Sequence, residues 1–157
     1  NTRSEVGELL YRLKYKNDKS VIKELAQTVG DYIKKRNWEI DVVVPVPPSR
    51  KGRDSQPVVL VAKELGYYLG IPVCNDCLVK TKETTESKNI DSYSERKALL
   101  KDAYKVLNSD LLGGNVLLID DLFGSGATLN STVTALRESE KVGKIYAVTL
   151  TKTGTRR

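Results

Sequence analysis

The chain has 157 residues, 39% hydrophobic and 29% charged, enough for one domain whose core needs no metal or disulfide support. Its 26 Lys and Arg against 20 Asp and Glu leave a net charge of +6, which favours anionic partners without choosing between phosphorylated metabolites and nucleic acid. No apolar run approaches the ~20 residues of a membrane span, and the absence of histidine excludes Ser-His or Cys-His nucleophiles and imidazole acid-base catalysis. No signal peptide is visible, so a cytoplasmic location is expected. The chain opens on Asn1 rather than Met, which points to a missing stretch or an artificial boundary upstream.

Residues 20–36, SVIKELAQTVGDYIKKR, place Val21, Ile22, Leu25, Val29 and Ile33 at three- and four-residue spacing, which predicts an amphipathic helix capped by Ser20. DVVVPVPPSR, 41–50, is a β-branched run that stops at prolines, as a buried strand giving way to a loop would. In SQPVVLVAKELGYYLG, 55–70, Val58, Val61, Ala62, Leu65 and Leu69 share one face and a glycine follows, so a second helix is expected. IPVCNDCLVKTK, 71–82, is strand-like. Its Cys74 and Cys77 form a single C-x2-C; zinc would need about two more soft ligands, which this chain lacks, so a structural or incidental role is expected.

ETTESKNIDSYSERK, 83–97, is polar and aperiodic and reads as a long loop, a kind usually functional or disordered. AYKVLN, 103–108, returns to strand character, and NVLLID, 115–120, is a continuous apolar strand. ATLNSTVTALRESEK, 127–141, predicts a helix with Leu129, Val133 and Leu136 inward, and KIYAVTLTK, 144–152, a last strand. Strands alternating with helices imply an α/β fold whose parallel sheet is covered on both faces, with right-handed crossovers. Ligands then sit outside the carboxyl ends of the strands, in the loops after Pro45, Lys80 and Asp121.

The stretch VLLIDDLFGSGATL, 116–129, carries the most chemistry. Asp120 and Asp121 stand at a strand end, on opposite sides because strand side chains alternate. GSGAT leads into a helix whose first N–H groups are unpaired and whose dipole is positive there. Gly124 and Gly126 permit tight curvature, Ser125 and Thr128 offer hydroxyls, and a phosphate monoester suits that environment. Carboxylates accept hydrogen bonds from sugar hydroxyls and approach hard divalent cations, mainly through water. A phosphate cradle beside diol acceptors describes a ribose 5-phosphate. A Rossmann turn is disfavoured because Leu129 stands where its third glycine belongs, and a Walker loop because no lysine follows the second glycine. A phospho-accepting aspartate leaves the anion-binding turn unexplained, and a purely structural capping turn is the remaining alternative.

VLLIDDLFGSGAT resembles the phosphoribosyl pyrophosphate (PRPP) motif of type I phosphoribosyltransferases: four apolar residues, an acidic pair, two apolar residues and a hydroxyl- and glycine-rich turn. LYRLKYKNDKSVIKELA, VVVPVPPSR and LVKTKETTESKNIDSYSERKALLKDAY are similar, in order, to blocks of the ComF and amidophosphoribosyltransferase-like branch, so the resemblance covers nearly the whole chain. It implies a type I phosphoribosyltransferase fold with a central five-stranded parallel sheet, flanking helices and a small hood. One domain over 1–157 is expected, with 1–37 a helical hood segment and 38–157 the core.

Carried over by residue, the resemblance implies that Asp120 and Asp121 hold the ribose hydroxyls. The run Phe123, Gly124, Ser125, Gly126, Ala127 and Thr128 completes the PRPP site. Val46, Pro47, Arg50 and Lys51 form the pyrophosphate loop. Residues 82–96 form a mobile loop, with Lys80, Lys82 and Arg96 as its cations. Lys82, Arg50 and Asp121 are the expected catalytic set, and magnesium is expected near Asp120 and Asp121, mainly through water. The implied enzyme is a pentosyl-transferring glycosyltransferase that binds PRPP, releases pyrophosphate and serves an unidentified base or amine; a homodimer is compatible with it. Displacement through an oxocarbenium-like state needs no enzyme nucleophile, so a chain without histidine suffices. The alternative is a non-catalytic ComF-like protein that binds PRPP or nucleotide in DNA uptake or regulation. Nucleic-acid binding through the basic tail TKTGTRR is not favoured. Gly124 stands where purine-salvage members carry an aspartate base, which disfavours a 6-oxopurine acceptor handled in that way. The acceptor is expected to meet the N-terminal segment and the stretch around TKTGT.

Overall fold

The computed structural model describes residues 5–47, 57–81, 93–124 and 126–152. In chain order the elements are α1 (Glu5–Tyr15), a 3-10 turn (Lys19–Val21), α2 (Ile22–Lys35), β1 (Val42–Pro45), α3 (Pro57–Leu69), β2 (Leu78–Lys80), α4 (Tyr93–Leu100), β3 (Tyr104–Val106), a second 3-10 turn (Ser109–Leu112), β4 (Gly114–Phe123), α5 (Ala127–Arg137) and β5 (Val142–Lys152).

The main sheet is parallel with β4 in the middle, in the order β1-β4-β5. Val42 to Pro45 pair with Val116 to Ile119, and β4 pairs with β5 as far as Phe123 opposite Lys152. Among the described residues this sheet has three strands, not the expected five. On the outer edge of β1, among the described residues, only Val73 bridges, opposite Val43. The strand-like run 71–82 is split by its own C-x2-C: Cys74 and Cys77 are joined as a disulfide and bend the chain, and β2 begins directly after Cys77. That strand pairs antiparallel with β3, Leu78 opposite Val106 and Lys80 opposite Tyr104, in a separate two-stranded ribbon. The helix-covered parallel architecture holds. Two of the predicted strands leave the sheet because the bend turns the chain away from β1 immediately after the Val73 bridge, and an antiparallel pairing then satisfies their backbone groups.

β4 is apolar throughout its middle because both faces are covered. Leu117 and Ile119 join Val43 in a cluster with Leu9, Leu10 and Leu13 of α1, Leu25, Val29 and Ile33 of α2, and Val61 and Leu65 of α3. Val116 and Leu118 join Val42 and Val44 on the other face with Ala135 and Leu136 of α5, Leu78 and Tyr104. Leu129 and Val133 pack on the rim of that second cluster, as their helical spacing predicted. Each buried leucine or isoleucine contributes roughly 2 kcal/mol by removal from water. Helices α2 and α3 approach closely at Gly30, where an added Cβ would lie 2.4 Å from Cδ1 of Tyr68.

Two local expectations are corrected. The helix at 20–36 is not capped by Ser20: Asp18 caps the preceding 3-10 turn, its Oδ1 accepting from the Ser20 N–H at 3.1 Å while Arg12 donates to Oδ2 at 2.6 Å. The carboxylate wins because it satisfies the N–H and a guanidinium together. The predicted loop 83–97 ends in helix, since α4 begins at Tyr93; its packing against α5 supplies the order that its weak periodicity does not. Residues 82–92 lie outside the described set. No helix among the described residues is long and apolar enough to cross a membrane.

Candidate functional site

The strand connections diverge between β1 and β4. From β1 the chain passes through α3 to the bridge at Val73 on one side; from β4 it passes through α5 to β5 on the other. Such a switch point leaves a crevice at the carboxyl ends of the two strands. β1 ends at Pro45, opposite Ile119, and one further bond extends it, Val46 N–H to Ile119 O at 2.9 Å. β4 continues four residues beyond Ile119, paired with β5. Asp120 and Asp121 therefore stand at the point where β1 has stopped, with Val46 and Pro47 leaving beside them. Thr151 fastens the other side, its hydroxyl donating to Asp121 O at 2.7 Å.

Strand alternation starts the two aspartates on opposite faces, as expected, yet their carboxyl groups remain close enough to share a hydrogen bond. Asp120 follows Val116 and Leu118 toward α5 and the β2–β3 ribbon; Asp121 follows Leu117 and Ile119 toward α1. Asp121 pairs with the Lys14 ammonium of α1. Asp120 has a different environment. Burial and the neighbouring Asp121 charge push its carboxyl up to about 7, while the Asp121 N–H, donating to Oδ1 at 2.8 Å, and the Lys14 charge only partly offset this. The phenol of Tyr104, buried on β3, lies near Asp120 and shares a hydrogen bond with the Thr128 hydroxyl; burial and the Asp120 charge push it up to about 12. Tyr104 is therefore a neutral hydroxyl group at physiological pH, able to donate.

Gly126 caps α5 with φ 85, a left-handed conformation that glycine adopts without steric cost. It brings no side chain to the first-turn N–H groups. Ala127 is buried and Thr128 half-buried on the first turn, and Asn130 on its next turn donates to the Tyr93 hydroxyl at 2.6 Å. Lys80 pairs opposite Tyr104, its ammonium 5.9 Å from that ring; partial burial pulls its pKa down. The segment 82–92 thus leaves the described structure beside Lys80 and Thr81 and re-enters it at Tyr93, against α5.

The fold sets Val46 and Pro47 beside the stretch of β4 that carries Asp120 and Asp121, with Gly124, Gly126, Ala127 and Thr128 following it into α5, and places Lys80 opposite Tyr104 on the ribbon. Arg50, Lys51, Lys82 and Ser125 fall outside the described residues. Phe123 ends β4 and Arg96 lies on α4, but their side chains fall outside as well. Two groups at the site escape sequence reasoning. Tyr104 carries a weak signal, as the polar-tipped aromatic of an otherwise unremarkable strand. Lys14 carries none, because its role depends on where α1 docks.

No family model matches the sequence, and no curated protein matches it. Solved structures do. The glutamine PRPP amidotransferase of B. subtilis, complexed with ADP and GMP, aligns with a TM-score of 0.56 at 21% identity over 83% of this chain and 26% of its own. The adenine phosphoribosyltransferase of Leishmania donovani aligns at 0.56 and 12% identity over 90% of this chain and 56% of its own. A hypoxanthine phosphoribosyltransferase of Staphylococcus aureus aligns at 0.51 and 19% identity over 88% and 66%. The chain thus spans about a quarter of the first of these proteins and little more than half of the second. What they share with it across most of its length is its three-dimensional arrangement, and the chain has the α/β fold of the type I phosphoribosyltransferases.

Proposed function

We propose that the chain is a magnesium-dependent phosphoribosyltransferase that binds PRPP at the β1–β4 crevice and transfers its phosphoribosyl group to a nitrogenous acceptor, releasing pyrophosphate. The observation that carries this reading is the acidic pair placed side by side with a glycine-capped helix N-terminus at the switch point. Gly126, Ala127 and Thr128 would receive the 5-phosphate at the N-terminus of α5, and the carboxylates of Asp120 and Asp121 would accept from the ribose hydroxyls.

Val46 and Pro47 open the segment that would face pyrophosphate, continued by Arg50 and Lys51. Lys80 would add positive charge against the charge that develops on the leaving group, and the resemblance assigns Lys82 and Arg96 the same role. Lys14 pairs with Asp121 and compensates its charge beside the crevice. The residues fit magnesium: two oxygen-donor carboxylates stand together, one of them short of compensating charge, and hard cations take such donors. When bound, magnesium would neutralise charge on the ribose and pyrophosphate oxygens.

Calorimetry with PRPP and magnesium tests the pocket: saturable binding is expected, weakened at least about tenfold in Asp121→Asn, in line with the loss of a charge-assisted hydrogen bond. No binding at millimolar ligand would overturn the reading. Pyrophosphate release in a screen of nucleobases and amines tests turnover. A second reading, PRPP or nucleotide binding without transfer, is supported by Gly124 at the position where a carboxylate base would stand; it predicts binding with no pyrophosphate released by any acceptor.

A further inference from the structure

Cys74 and Cys77 lie in the bend between the Val73 bridge and β2, 5% and 0% exposed and joined as a disulfide. Two oxygens are aimed at them in a way that a disulfide does not use. Asp76 Oδ1 lies 3.4 Å from Cys74 Sγ, and the backbone oxygen of Asn108 lies 3.9 Å from Cys77 Sγ. A disulfide sulfur has no proton to donate, so neither contact is a hydrogen bond in the oxidised chain. Both oxygens are nevertheless held in place. Asn108 has φ 52, a left-handed backbone that a non-glycine residue adopts at some cost, and its side-chain amide donates to Asp76 Oδ2 at 3.5 Å.

The two sulfur–oxygen distances suit neighbouring ligands of a tetrahedral metal site once the sulfur–sulfur bond is opened. With metal–sulfur near 2.3 Å and metal–oxygen near 2.0–2.2 Å, neighbouring sulfur and oxygen ligands lie roughly 3.5 Å apart. The ligand atoms of Cys74, Asp76 and Cys77 all lie within 4.8 Å of one another. The sequence offered only two soft ligands; the fold adds a carboxylate and a carbonyl, and the Asn108 amide on the carboxylate is the kind of outer partner that orients a metal ligand. We infer that in the reduced chain Cys74, Cys77, Asp76 and the Asn108 carbonyl hold one thiophilic divalent cation, such as zinc, in a closed four-ligand site.

Conversion between the two forms balances simply. A dithiol reductant supplies two electrons and two protons, breaks the Cys74–Cys77 bond and becomes a disulfide itself; the cation then displaces both thiol protons to solvent. The site pins the root of the β2–β3 ribbon. Cys77 O accepts from the Leu107 N–H at 2.8 Å, and the far end of the ribbon presents Lys80 and Tyr104 at the crevice. The inference is independent of any substrate at that crevice.

Cobalt titration of the full chain, reduced with a phosphine and kept free of oxygen, tests it. Expected are the visible absorption of tetrahedral cobalt with thiolate charge transfer, saturation at one equivalent, and displacement by one equivalent of zinc. Asp76 is exposed, so Asp76→Ala should fold and weaken uptake by roughly 10- to 100-fold. Cys77→Ser should abolish the charge-transfer band, and the oxidised chain should take up no cobalt. Uptake no greater than that of a Cys74→Ser/Cys77→Ser variant, uptake indifferent to Asp76→Ala, or a disulfide that the phosphine does not open would each overturn the inference. Should the cysteine variants misfold, the Asp76→Ala comparison decides alone.

Discussion

Asp120 faces opposed demands: the fold buries its carboxyl beside a like charge, while the proposed ligand needs it there. Its folded pKa, about 7, lies above the ordinary 3.8, so the folded chain binds the extra proton. That contribution to stability is complete below about pH 4 and is lost as pH rises through about 7. Asp120→Asn removes the titration. Thermal melts across this range should show a flatter pH dependence than the parent and, at about pH 8, a midpoint higher by roughly 2–6 °C; a slope unchanged from the parent would count against the burial argument. The gain should come with weakened PRPP binding if the proposed function holds. Tyr104→Phe removes the hydroxyl shared with Thr128 and should cost about 1 kcal/mol in denaturant melts. Lys14→Met should cost less, below about 1 kcal/mol, because the Lys14–Asp121 pair is 31% and 26% exposed and water screens it.

The elements that hold the site depend on two glycines. Gly126 caps α5 at φ 85, and Gly126→Ala should cost roughly 1–2 kcal/mol from the left-handed backbone alone, read as a shift in the urea midpoint. At Gly30 the obstacle is contact, not φ: a Cβ there meets the Tyr68 ring, whose hydroxyl donates to Asp31 Oδ1 at 2.6 Å and resists displacement. Gly30→Ala should separate α2 from α3 and cost about 1–3 kcal/mol. These two positions differ in legibility. Gly126 is readable as a turn residue from GSGAT, since a local backbone demand leaves a local signature. Gly30 is not, because its partner belongs to another helix. The cap on Asp18 and the helical start at Tyr93 escape the sequence for related reasons: a nearby guanidinium decides the first, and packing on α5 the second.

At the scale of the whole molecule one sheet joins two clusters, so damage to β4 should spread to both faces. Leu118 is fully buried, and Leu118→Ala should cost roughly 2–5 kcal/mol in a single cooperative transition that also disperses the site, since Asp120 extends the same strand. Much of this architecture is visible in the residues alone. The apolar run 116–119 had to be a strand covered on both faces, and the helices at 22–35, 57–69 and 127–137 arise from spacing; the acidic pair, expected at the strand end, instead lies within β4, which pairing with β5 carries on to Phe123. The apolar strand and the helices reflect steric and hydrophobic preferences acting over a few residues, which the sequence contains in full. Tertiary structure alone decided that Lys14 would neutralise Asp121, that Tyr104 would meet Thr128, that a C-x2-C bend would narrow the sheet, and that Asn108 would stand over Cys77. Each of those outcomes depends on where segments distant in the chain come to lie, and their energies exist only after the core has fixed those positions.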